Sequence, residues 1–165
     1  RAAVLDGGFD KWQAEGRPLS TAPCTYPATE LTPRTRPGLF VAKEQVLAAI
    51  DEPDTCTVNA LGADIFSGEV PSYARPGRLA GSVRVPQGDS VDPQTFAFRP
   101  AGEIRAILDA AGAMATPKHI TYCGGGIFAT LDAFWLTQLG KPDVAVYENS
   151  MSEWGADPSL PMESD

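Results

Sequence analysis

Apolar residues gather into four short runs rich in β-branched and aromatic side chains, at residues 56–60, 81–86, 119–123 and 144–147, and each run reads as a strand. Between them the spacing changes. Val46, Leu47 and Ile50 share one side of a helix predicted over 42–50, and Ile104, Ile107 and Leu108 do the same over 100–111. From Ile127 the positions Leu131, Phe134, Trp135, Gln138 and Leu139 recur at helical intervals until Gly140 stops them. Strands alternating with helices predict an α/β doubly wound fold, a parallel sheet with helices on both faces. Ligand sites in such folds lie at the carboxyl ends of the strands, and Cys123 ends one.

Two interruptions organise the rest of the chain. Prolines at 18, 23, 27, 33 and 37, with Thr and Ser between them, exclude a helix or central strand, so 18–38 reads as a Pro-rich linker. The segment before it repeats the end of the chain. Val4-Leu5-Asp6-Gly7-Gly8-Phe9-Asp10-Lys11-Trp12 aligns with Val146-Tyr147-Glu148-Asn149-Ser150-Met151-Ser152-Glu153-Trp154, an offset of 142 positions, which is the size of a domain. Residues 1–17 therefore read as the remnant of a preceding copy, and 39–165 as one nearly complete domain. Trp12 and Trp154 are expected to anchor the last helix of each copy.

The stretch Tyr122-Cys123-Gly124-Gly125-Gly126-Ile127-Phe128 carries the candidate chemistry. Three glycines let the backbone curl so that successive N–H groups point at the sulfur, and the helix behind them adds positive potential. Both favour a thiolate and would hold an additional negative atom attached to it. Competing readings are a buried structural cysteine, a nucleotide phosphate loop and a cysteine phosphatase. A phosphate loop would follow its glycines with Lys and Ser or Thr, and a phosphatase would place an arginine six residues after the cysteine, where Ala129 stands. His119, the only histidine, lies roughly 13 Å from Cys123 along an extended strand, too far to be its base. It is expected to be a surface residue at the start of the strand. Asn59 is expected to bond a neighbouring loop.

Composition narrows the classes further. A formal charge of −8 argues against nucleic acid as a partner and requires any anionic substrate to be drawn in by a local site. Cys24, Cys56 and Cys123 have neither disulfide-framework nor zinc spacing, so no metal is expected. No apolar run has the length of a membrane span, and a soluble, cytoplasmic protein without a membrane partner is the expectation.

Taken in order, the Cys123 loop, the closing Val146–Trp154 stretch and Arg75-Pro76-Gly77-Arg78-Leu79-Ala80-Gly81-Ser82-Val83-Arg84-Val85-Pro86 resemble the rhodanese-like sulfurtransferases. The likeness is to the carboxy-terminal, catalytic domain of the two-domain thiosulfate or 3-mercaptopyruvate enzymes, over residues 41–161. The resemblance implies a Cys123 persulfide that passes a sulfane sulfur from a small donor to cyanide or a thiol, without a cofactor. Gly124, Gly125, Gly126, Ile127 and Phe128 would cradle the persulfide, and Arg75 and Arg78 are candidates to meet a substrate carboxylate or sulfonate or are solvated surface arginines. It also implies an upstream rhodanese domain as partner, or self-association where that domain is missing.

Several positions depart from the family pattern. The loop's usual basic residues are replaced by Gly124 and Gly125, and its usual closing hydroxyl residue by Phe128. A strand end that reads Val-Asp-Ala/Ser-Arg in the family is Val58-Asn59-Ala60-Leu61 here. These changes lean toward mercaptopyruvate or another donor, and they leave open a second reading, a weakly active or inactive sulfur-carrier or interaction module.

Overall fold

The computed structural model describes residues 3–165. In chain order the elements are α1 (Gly8–Ala14), α2 (Lys43–Ala49), β1 (Thr55–Asn59), α3 (Ala63–Ser67), β2 (Arg78–Leu79), β3 (Val83–Arg84), a 3-10 turn (Gln87–Ser90), α4 (Ala101–Ala110), β4 (Lys118–Tyr122), α5 (Ala129–Gln138), β5 (Asp143–Val146), α6 (Ser150–Trp154) and β6 (Met162–Glu163). The four predicted strands form one sheet in the order β3-β1-β4-β5, with every pairing parallel. Residues 39–41 run along the β5 edge, where Val146 N–H donates to Leu39 O and Val41 N–H to Val146 O, at 2.9 and 3.1 Å.

Because successive strand residues point to opposite faces, the sheet divides its apolar side chains between two cores. Val46 and Ala49 of α2 and Met151 and Trp154 of α6 close over Ile120 and Tyr122 on one face. On the other, Ile104 and Leu108 of α4 and Trp135 and Leu136 of α5 close over Val58 and Val85. Each fully buried Leu or Ile among them contributes roughly 1.5–3 kcal/mol. Sheet and helices together thus hold the carboxyl end of β4, and with it Cys123, in a fixed place.

Two expectations are corrected, and one element is added that was not predicted. The helix predicted from Ile127 begins at Ala129, because Gly126 adopts φ +83 and keeps the chain in a loop for two residues more. His119 is buried rather than at the surface, only 1% exposed, and its Nε2–H donates to Ala113 O at 2.6 Å. Burial holds its pKa below the ordinary 6.5. A second sheet, β2 antiparallel to β6, pairs Arg78 with Glu163 and Leu79 with Met162; strands of two residues carry no period to read.

The repeated ends share local geometry as well as sequence. Gly8 and Ser150, 142 positions apart, both lie in the left-handed region, at φ +57 and +49. Trp12 Nε1–H donates to Pro18 O and Trp154 Nε1–H to Pro161 O, each at 3.0 Å. Their packing differs. Trp154 is fully buried, whereas α1 has no buried residue and Trp12 is half-exposed. The segment before α1 touches the domain through Asp6, whose carboxylate accepts from Phe98 N–H at 2.7 Å.

Candidate active site

Residues 123–128 bridge β4 and α5, and the start of α6 pins the first two of them. Cys123 N–H donates to Ser150 Oγ at 3.0 Å, and Ser150 in turn donates to Tyr147 O at 2.7 Å. Met151 N–H holds Cys123 O at 3.1 Å; Ser152 holds Gly124 O with its N–H at 2.9 Å and its hydroxyl at 2.7 Å. With those carbonyls turned to α6, the N–H groups of Gly124, Gly125, Gly126, Ile127 and Phe128 have no protein acceptor among the described residues. A run of free amides at the amino end of a ten-residue helix is an arrangement that can hold an anion.

The three glycines hold their places for different reasons. A Cβ on Gly126 would come 2.5 Å from Glu148 O, in the turn that leads into α6. On Gly124 it would overlap the Tyr73 hydroxyl, and on Gly125 it would meet nothing within 4 Å. The loop therefore packs against Tyr73 at its first glycine and against the turn before α6 at its third, and faces open space at the middle one.

Cys123 lies at the base of a cleft of about 170 Å³ lined also by Leu61, Tyr73, Gly124, Gly125, Ile127 and Phe128. Its residue is 2% exposed, while Ile127 and Phe128 at the rim are 79% and 50% exposed. Among the described residues no charged side chain lines the cleft. Tyr73 supplies its only side-chain hydroxyl, and burial, with the Cys123 charge second, pushes the phenol above the ordinary 10, so it is a neutral donor at physiological pH. Tyr122, next to the cysteine, points the other way. Its hydroxyl meets Ser82 Oγ at 2.7 Å and accepts from Leu79 N–H at 3.2 Å, and burial raises its pKa to about 12.

Of the residues singled out in the sequence, Cys123, Gly124, Gly125, Ile127 and Phe128 come together around the cleft, and Gly126 supports the loop from behind. Arg75 and Arg78 do not join them. The Arg75 guanidinium donates to the carbonyls of Gly155, Leu160, Trp154 and Asp157 at 2.6–3.1 Å, closing the chain after α6. Arg78 pairs with Asp165 at 2.8 Å and Glu163 at 3.6 Å and stacks over Phe66. Their fixed planar forks are spent on carbonyls and carboxylates of the chain itself. Asn59 bonds the turn that follows it rather than another loop, accepting from Leu61 N–H at 2.7 Å. Tyr73 and Ser150 were missed: neither has a spacing that ties it to Cys123, although the repeat does align Ser150 with a glycine.

A parallel sheet wrapped by helices on both faces, with a cysteine loop between a central strand and its following helix, defines a rhodanese-like domain. Comparison with known proteins agrees. The chain is 30% identical, over 99% of its length, to a Mycobacterium bovis protein provisionally named a thiosulfate sulfurtransferase. It is 28% identical over 99% of its length to the 3-mercaptopyruvate sulfurtransferase of Escherichia coli, and 28% over 98% to the mitochondrial thiosulfate/3-mercaptopyruvate sulfurtransferase 1 of Arabidopsis thaliana. It spans 61%, 58% and 48% of these relatives. No protein-family model matches the chain.

Among solved structures, the anaerobic ergothioneine biosynthesis enzyme from Chlorobium limicola, in complex with trimethyl histidine, superposes with a TM-score of 0.83. Identity there is 25%, over 98% of this chain and 41% of that one. A variant of EanB holding a cysteine persulfide with ergothioneine shares the fold, with a TM-score of 0.83 at 24% identity over 98% of this chain and 41% of that one. The fold is rhodanese-like, and the relatives that this chain resembles along nearly its whole length are named sulfurtransferases.

Proposed function

We propose that Cys123 is the nucleophile of a sulfur transfer that proceeds through a Cys123 persulfide. The observation that supports this most is the cysteine in the cleft, at the start of a loop whose next five backbone N–H groups have no protein acceptor among the described residues. The thiolate forms a bond to the outer sulfur of the donor, and the donor's own bond to that sulfur breaks. With thiosulfate the electron pair leaves on sulfite; with 3-mercaptopyruvate it leaves as the enolate of pyruvate, which takes up a proton. The persulfide's negative end rests on the amides of residues 124–128 at the amino end of α5. A thiol or cyanide then takes the terminal sulfur and returns the Cys123 thiolate. His119 has no part in activation, since it is buried and bonded to Ala113 O.

Residues 1–17 are, in this reading, the remnant of a preceding rhodanese-like copy, its last strand and helix, joined by the linker at 18–38. Matching φ values at Gly8 and Ser150 and the matching tryptophan bonds support it. The natural partner of the domain is that copy, with self-association as its substitute. Among the described residues no helix is long and apolar enough to cross a membrane.

A second reading is a sulfur-carrier or interaction module of weak activity. It is favoured by the cleft's lack of charged side chains and by the exposed Ile127 and Phe128. Intact-mass measurement after incubation with thiosulfate or 3-mercaptopyruvate separates the two. A gain of about 32 Da, one sulfur, that cyanide removes and Cys123→Ala abolishes is the expected result. A protein that gains nothing while Cys123 still accepts an alkylating reagent would refute transfer from these donors.

A further inference from the structure

We infer that the cleft selects a sulfur substrate with one negative head and an apolar or aromatic body, and that Tyr73 is the residue that orients the head. The inference deepens the sulfur-transfer reading and rests on it. Backbone amides and one helix terminus suit a single negative centre, but Arg75 and Arg78, the arginines that could have met a substrate, are held by carbonyls and carboxylates of the chain. A dianion would enter without a countercharge, in a protein that carries −8 overall. The walls offer something else. Leu61, Ile127 and Phe128 present apolar surface beside Cys123, and the two rim residues are largely exposed, so covering them with a substrate's body gains free energy that a small inorganic ion cannot supply.

Tyr73 completes the arrangement. Its ring packs against the core and beside Gly155, and its hydroxyl stands over Gly124 so closely that a Cβ there would push it aside. The hydroxyl has no protein partner among the described hydrogen bonds and remains a donor for the substrate's oxygen. Benzenethiosulfonate has the required form. In its transfer the Cys123 sulfur bonds to the outer sulfur, the bond from that sulfur to the sulfonyl group breaks, and benzenesulfinate leaves with the electron pair.

Binding is tested without turnover, using the unreactive pair benzenesulfonate and sulfate at matched ionic strength. Each is titrated against iodoacetamide labelling of Cys123, read by peptide mass so that Cys24 and Cys56 are counted apart. Half-protection by benzenesulfonate is expected at a concentration at least about tenfold below that of sulfate, and Tyr73→Phe is expected to raise it about tenfold, the effect of one hydrogen bond to a charged group. Phe128→Ser, which keeps Tyr73, should narrow the gap between the two anions. Equal protection by sulfate, no protection by either, or an unchanged midpoint in a folded Tyr73→Phe protein overturns the inference. Persulfide loading from benzenethiosulfonate is followed separately. Protection without loading refutes sulfur transfer from this donor and leaves the binding inference standing; loading without differential protection does the reverse.

Discussion

The three loop glycines look interchangeable as letters, and their replacement by alanine should separate them. At Gly126, φ +83 costs a residue with a Cβ about 1–2 kcal/mol. The new methyl would also stand 2.5 Å from Glu148 O, a backbone atom that can yield only if the turn into α6 moves. Overpacking of that kind costs a further 1–3 kcal/mol or so, for a total of about 2–5 kcal/mol. The displaced turn carries Tyr147 and Ser150, so the bond from Cys123 N–H to Ser150 Oγ should loosen with it. At Gly125 the φ is not left-handed and the methyl meets nothing, so the cost should stay within about 0.5 kcal/mol. Its effect falls on chemistry, since Gly125 lines the cleft. Paired urea unfolding of wild type, Gly125→Ala and Gly126→Ala reads the stabilities, and the rate of persulfide loading reads the site. Comparable losses of stability in the two variants, or a Gly126→Ala protein as stable as wild type, would refute the argument from close approach.

Arg75→Lys should lower stability by about 2–4 kcal/mol, because an ammonium cannot reach the four carbonyls that the guanidinium serves. Its loading rate and KM, measured where the variant is folded, should match wild type; a selective rise in KM would show Arg75 meeting the substrate after all. Asp132, one turn into α5, is 1% exposed with neither carboxylate oxygen bonded among the described residues, and burial, with the Asp89 charge second, raises its pKa well above the ordinary 3.8. The folded state therefore keeps a proton that the unfolded chain releases, a loss of stability at neutral pH that fades as pH falls through the folded pKa toward 3.8. Asp132→Asn should stabilise the protein at pH 7 and progressively less toward pH 4. A variant less stable than wild type at pH 7 would show an ionised, compensated carboxylate instead.

Much of the frame was legible in the chain as letters. Strand and helix periods, the glycines after Cys123 and the repeated ends are local patterns, and local sterics and amphipathic burial are sufficient to read them. Those patterns determined a parallel sheet, the position of Cys123 at a strand's carboxyl end and the likeness of Trp12 to Trp154. Only the tertiary structure decided which side chains surround the sulfur. Arg75 and Arg78 stood open in the sequence between substrate contacts and surface arginines until the chain after α6 came back to fold over them, and Tyr73, 50 positions before Cys123, entered the cleft through tertiary packing. His119 became a core residue because Ala113, before the strand, offers its carbonyl. Such contacts join residues far apart in the chain or in no period with one another. Their energies depend on where the backbone returns, and a one-dimensional pattern carries no record of that return.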